Sequence, residues 1–127
     1  IWFGDIEQTR DLASQCNNYL ADLARVHRGR FGGFGFLPLP DIELALEEMG
    51  RIYDDLQLDG ITLLTSVDNK YIGHPEFEPL YAELNCRKAV VLIHPCYPPG
   101  TEADGWDIPR MLIDYPFETT RVAINLR

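Results

Sequence analysis

Ile61-Thr-Leu-Leu-Thr65 is a short run, apolar on both faces, between the turn residues Asp59-Gly60 and a polar stretch over 66–75. A run of that length and setting predicts a buried strand. Two similar runs lie at equal distance on either side. Phe31-Gly-Gly-Phe-Gly-Phe-Leu37 precedes it and Ala89-Val-Val-Leu-Ile93 follows it, with Gly33 28 residues before Ile61 and Ala89 28 residues after. Between them the apolar residues change to steps of three and four, which is the helical period. The predicted order is α-β-α-β-α-β-α. Strands apolar on both faces, each followed by a helix, predict a parallel sheet covered by helices.

The helices have readable ends. Over 5–27, Leu12, Cys16, Tyr19, Leu20, Leu23 and Val26 form a stripe, with Asp5 as the cap and Gly29 as the stop. Asp41 caps a second helix through Leu56, after Pro38 and Pro40 stop the first strand. Phe77, Leu80, Tyr81 and Leu84 mark a third. Pro109 predicts the start of a short helix, Pro116 its break, and 117–127 a further helix.

A steady βα repeat fits a (β/α)8 barrel or a doubly wound sheet. No GxGxxG or GxxxxGK[ST] follows any strand, so the nucleotide-binding readings lose their support. The expected fold is therefore α/β, a partial (β/α)8 TIM barrel with a parallel sheet. A whole barrel takes about 250 residues, and this chain has 127. Residues 1–127 are read as the central part of one barrel domain, truncated at both ends. Three strands cannot close a barrel, so unpaired edges are expected at 31–37 and 89–93.

Eleven Lys and Arg stand against 20 Asp and Glu, for a net charge of −9. That balance opposes binding to nucleic acid or to an anionic membrane surface. Hydrophobic residues make up 46% of the chain, enough for a packed core. No apolar run approaches the roughly 20 residues that span a bilayer, and no secretory leader opens the chain. Cys16, Cys86 and Cys96 are an odd number without a CxxC pair, which fits a reducing compartment. The expected location is cytoplasmic.

Ligands of such folds bind at the C-terminal ends of the strands. That rule selects 37–40, 65–71 and 94–96. His94 follows the third strand directly and is the sharpest candidate, as a metal ligand, since neutral imidazole suits zinc and manganese. A buried histidine satisfied by a nearby carbonyl is the competing reading. Asp68 and Asn69 are candidate substrate contacts, although both are also ordinary turn formers. Cys96 lacks a base partner and reads as a loop thiol. His27 and His74 read as solvated side chains. So do the acidic pairs Glu47-Glu48 and Asp54-Asp55.

Four stretches, Arg30-Phe-Gly-Gly-Phe-Gly-Phe-Leu-Pro-Leu-Pro40, Asp59-Gly-Ile-Thr-Leu-Leu-Thr65, Tyr71-Ile-Gly-His-Pro-Glu-Phe-Glu-Pro-Leu80 and Val90-Val-Leu-Ile-His-Pro95, occur in order. They resemble the metal-dependent amidohydrolase-related family that contains the aminocarboxymuconate-semialdehyde decarboxylase-like enzymes. Tyr115-Pro-Phe-Glu-Thr-Thr-Arg121 is similar to its fungal branch of 6-methylsalicylate and uracil-5-carboxylate decarboxylases.

The resemblance implies a distorted (β/α)8 barrel with one divalent metal, commonly zinc and alternatively manganese. It implies non-oxidative decarboxylation of a cyclic or aromatic carboxylic acid, a small-molecule partner, and a homo-oligomer at full length. His94 matches the family's metal-binding histidine at the end of the fifth strand, so the strands here are the third, fourth and fifth. The family's first-strand metal motif is expected before Ile1. Its next histidine and its acid–base aspartate are expected after Arg127, so no catalytic residue is assigned here. A metal-dependent hydrolase on the same barrel, and a truncated chain with no activity of its own, are the competing readings.

Overall fold

Helix α1 (Ile6–Val26) starts where Asp5 accepts a hydrogen bond from the Gln8 amide at 3.0 Å, as its sequence predicts. The computed structural model describes residues 2, 4–99 and 109–126. Arg127, the last residue of the predicted helix 117–127, lies outside them. After α1 come β1 (Phe34–Phe36) and α2 (Ile42–Gly50), the latter capped by Asp41 and running on into a π-turn over Arg51–Asp55. Strand β2 (Gly60–Leu64) leads straight into two short strands, β3 (Ser66–Val67) and β4 (Lys70–Tyr71). Then follow α3 (Glu78–Cys86), β5 (Val91–His94) and α4 (Met111–Asn125).

Strands β1, β2 and β5 form one parallel sheet in that order, with Gly35 opposite Ile61 and Ile61 opposite Val91. The 28-residue repeat therefore corresponds to neighbouring parallel strands, and the α/β reading holds.

The helices cover one face of this sheet. Ile61 and Leu63 are buried on that face with Ala45, Met49 and Ile52 from the α2 segment and Leu80 and Leu84 from α3. Gly35 belongs there because a Cβ would stand 2.6 Å from the Ile52 side chain. At Gly60 a Cβ would meet the Val90 carbonyl oxygen at 2.5 Å, so β2 and β5 approach as only glycine permits. On the opposite face, Phe36, Thr62 and Leu92 form one row and Leu64 and His94 the next. Leu92 is 48% exposed and Val90 59%, so the expected covering by helices holds for one face only. The strands read as doubly apolar because this second face is apolar too. Among the described residues α4 reaches it only through Tyr115, whose ring meets that of His94.

The two edges also differ. The Asn17 side chain, fully buried, grips Phe36 from α1: its Oδ1 accepts from the Phe36 amide at 2.8 Å and its Nδ2 donates to the Phe36 carbonyl at 2.9 Å. One amide side chain thus takes the place of a strand, and the expected open edge at 31–37 is closed at Phe36. On the far side of β5 no strand pairs, among the described residues. Asn17→Ala is expected to cost about 2–4 kcal/mol, because two backbone groups would be left buried and unbonded. Urea unfolding and faster exchange of the Phe36 amide test it. An unchanged Phe36 protection factor would rule this role out.

Three further readings are corrected. Residues 66–75 are not simply a loop, since β3 and β4 pair antiparallel around Asp68 and Asn69. Both residues have positive φ, 48° and 58°, as a two-residue hairpin turn requires. Pro116 does not break its helix. It removes a single amide, and the Leu112 carbonyl left without it belongs to a residue 66% exposed, where water serves instead. Glu48 is not simply solvated, whereas Asp54 is exposed as read. Glu48 pairs with Arg51 at 2.6 Å and accepts from Asn17, while Asp54 pairs with Arg87 at 2.9 Å and is held below the usual carboxylate range by that guanidinium.

Candidate metal and substrate site

His94 is the last residue of β5, and its exposed side chain lies on the face that the helices leave open. Its Nδ1 stands 2.8 Å from the Pro95 carbonyl oxygen. A carbonyl only accepts, so Nδ1 carries the proton and donates it. The lone pair is then on Nε2, pointing away from the backbone. Metal-ligating histidines are commonly fixed in this manner, with one nitrogen bonded to a carbonyl and the other turned to the ion.

The segment after His94 is pinned to the end of β2 by Thr65, which is fully buried. The Thr65 amide donates to the His94 carbonyl at 3.1 Å. Thr65 Oγ1 accepts from the Cys96 amide at 3.1 Å and lies 3.1 Å from its sulfur, which also lies 3.2 Å from Ser66 Oγ. Cys96 is thus engaged with hydroxyls, in keeping with a loop thiol. No base is bonded to it among the described residues. Thr65→Val keeps the shape and removes the acceptor. It is expected to cost about 1 kcal/mol and to speed exchange of the Cys96 amide, measured by NMR. Unaltered exchange would show that the segment is held by other contacts.

Asp68 and Asn69 sit at the tip of the β3–β4 hairpin, which rises directly from the C-terminal end of β2. Asp68 Oδ1 accepts from the Trp2 indole at 3.1 Å. Among the described residues no hydrogen bond links either residue to His94. The structure places all three at one end of the sheet without joining them. His74 caps the 3-10 turn Pro75–Phe77 through its Nδ1, apart from the sheet end.

Two features escape a reading of the sequence. Glu118 on α4 is fully buried, where its Oε1 accepts from the Tyr71 hydroxyl at 3.1 Å and from Arg121 Nε at 3.2 Å. Its Oε2 has no partner among the described residues. Burial, followed by the bond to Glu118, pushes the Tyr71 hydroxyl above its ordinary pKa. Glu118 and Val122 stand one turn apart in the predicted helix 117–127, but nothing in the sequence says that a face carrying a glutamate turns inward. The second feature is aromatic. The Tyr115 ring lies 6.5 Å from that of His94, and Tyr97 lies 5.7 Å from Tyr115. Neither tyrosine stands out by spacing alone.

Among the described residues no three histidine, cysteine or acidic side chains converge as a metal site. His94 contributes one donor of the right chemistry, and a catalytic zinc uses about three protein ligands. Nor is any helix among them long and apolar enough to cross a membrane.

Comparison with known proteins agrees with this geometry. The chain is 41% identical over 118 residues to a 6-methylsalicylic acid decarboxylase of Aspergillus aculeatus, covering 91% of this chain and 36% of that protein. Its structure resembles the crystal structure of an amidohydrolase II at a TM-score of 0.91 and 30% identity, covering 99% of this chain and 42% of the other. It also resembles a 5-carboxyvanillate decarboxylase of Novosphingobium aromaticivorans with bound manganese, at a TM-score of 0.82 and 25% identity, covering 96% and 36%. The chain spans little more than a third of the length of the curated relatives it matches. The family model described as amidohydrolase matches residues 2–123, and the chain belongs to that family.

Proposed function

We propose that this chain is the central part of a barrel enzyme that removes carbon dioxide from an aromatic carboxylic acid, with His94 as one ligand of its metal. The observation that carries this is the bond from His94 Nδ1 to the Pro95 carbonyl, which leaves Nε2 as a donor at the C-terminal end of a parallel strand. The strands are the third, fourth and fifth of that barrel on this reading. The open face of Phe36, Thr62, Leu64 and Leu92 is then its interior, which accounts for an apolar surface that the helices do not cover.

His94 would hold a divalent ion through Nε2, and that ion would supply Lewis acidity to the acid's carboxylate. His94 cannot carry protons while it is a ligand, so its task is to orient. Thr65 holds the segment that follows it. The proton for the ring carbon comes from a group outside this chain. Zinc is the metal inferred from imidazole ligation, while manganese, the ion held by a structural relative, is the other candidate. The hairpin carrying Asp68 and Asn69 rises at the same end, which supports a substrate contact there, although its turn geometry accounts for both residues without one.

The lack of three convergent ligands among the described residues means that His94 alone would hold a metal weakly in the isolated chain. The test is to supply the full-length enzyme carrying this chain with an aromatic hydroxy acid and to follow carbon dioxide. Stoichiometric release with the decarboxylated ring as product is expected. Hydrolysis of an ester, lactone or amide without such release would make it a hydrolase instead.

A further inference from the structure

We propose that Glu118 is a positioning residue of the metal site. From inside the fold it fixes α4 against β4, and α4 in turn holds the Tyr115 ring against the imidazole of His94. This rests on the reading of His94 as the metal ligand. Glu118 is fully buried, and its Oε2 has no hydrogen-bond partner among the described residues. A carboxylate taken from water and left half-bonded weakens a fold, and an apolar side chain of like size in its place is commonly neutral or stabilising. Val122, one turn further on, already packs α4 into the core. What the carboxylate adds is direction, because a hydrogen bond sets the rotation and level of a helix more sharply than apolar contact alone.

Its bonds run to one neighbouring strand. Glu118 Oε1 accepts from the Tyr71 hydroxyl at 3.1 Å and from Arg121 Nε at 3.2 Å, while the Arg121 guanidinium lies 5.7 Å from the Tyr71 ring centre. Two turns along α4, Asn125 stands so close to Gly73 that a Cβ there would meet its side chain at 2.9 Å. Helix α4 is thus fastened along 71–73. That segment is tied to the end of β2, since the Ile72 amide donates to the Thr65 carbonyl at 3.1 Å, and the Thr65 amide donates to the His94 carbonyl. One turn before Glu118, Tyr115 meets His94 edge to face, with ring centres 6.5 Å apart. Thr65 therefore holds the backbone of His94, and Glu118, through α4, holds its ring. The Pro95 carbonyl fixes Nδ1, and the Tyr115 ring limits the swing of the imidazole about that bond, so Nε2 keeps one direction.

The test uses the full-length enzyme and zinc alone. The zinc dissociation constant comes from competition with a chelator, and the melting temperature is taken on the metal-free enzyme. Glu118→Leu is expected to melt at the parent's temperature or above it, since Arg121 is 55% exposed and regains water. It is expected to bind zinc about tenfold more weakly, as when a group that orients a metal ligand is removed. Glu118→Gln keeps an acceptor for the Tyr71 hydroxyl and is expected to recover most of that loss. A folded Glu118→Leu enzyme with the parent's zinc affinity overturns the proposal. So does a glutamine variant that shares the whole loss, or a melting temperature that falls in step with zinc affinity, which would make Glu118 a packing residue. Should the leucine variant fail to fold, Tyr71→Phe takes its place. It deletes one hydroxyl and is expected to weaken zinc binding in the same direction, and unchanged binding overturns the proposal equally. Zinc affinity left intact by His94→Ala would strike the reading of His94 as a ligand. Affinity lost in His94→Ala but kept in Glu118→Leu strikes Glu118 alone.

Discussion

Replacing His94 with alanine in the full-length enzyme is expected to lower both bound metal and decarboxylation by more than about a hundredfold. The size follows from the economy of the site. A catalytic ion has about three protein ligands, and loss of a mere supporting contact already costs about ten- to a hundredfold. Removing a ligand takes away the donor and the geometry together. Cys96→Ser should do neither to a comparable degree, because serine keeps a hydroxyl within reach of Thr65 and Ser66, the groups that the sulfur meets now. Metal analysis after dialysis, alongside the rate of carbon dioxide release, decides the matter. A His94→Ala enzyme with full metal and full rate would make His94 a structural residue held by Pro95.

The isolated 127-residue chain is expected to associate instead of unfolding as a cooperative monomer. Val90 just before β5 and Leu92 on its open face, together with Met111, Leu112 and Phe117 on α4, are each 48% exposed or more. Apolar surface of that extent beside an unpaired strand edge draws in another chain. Leu92→Lys should shift the material markedly toward monomer, since a charge on that face opposes burial. Sedimentation over a range of concentrations is the measurement. A single monomeric species with a sharp thermal transition would show that the described fold covers itself adequately.

The parallel sheet is legible in the sequence because β-branched and leucine runs recur at equal spacing, and no other architecture needs strands so regularly separated by helices. His94 is legible because it ends such a run. The uncovered face is not, since an apolar residue facing a helix and one facing a barrel interior are written alike. The hairpin is hidden for another reason. Val67-Asp-Asn-Lys70 is polar at its centre, and only the positive φ of two adjacent residues turns it from loop into strand pair. Pro116 misleads because its usual penalty presumes a carbonyl hidden from water, which the exposed Leu112 does not have. The predicted break hides that Tyr115 shares a helix with Glu118, while Glu118 itself is hidden because a glutamate is rarely fully buried.

The amide of Asn17 gives the sheet a handed economy of growth. Among the described residues Asn17 bonds one residue of the β1 edge, Phe36, and no side chain so bonds the β5 edge, so the isolated chain is expected to pair at β5 in preference to β1. Chains with two complementary borders add head to tail without end. Chains with one can only meet border to border, about a twofold axis, and the pairing uses up the very surface that made it. Such a union of the isolated chain would close at two copies with six strands, antiparallel at the seam. On that expectation a single side chain on α1 tilts the isolated chain toward a finite pair and away from a fibre.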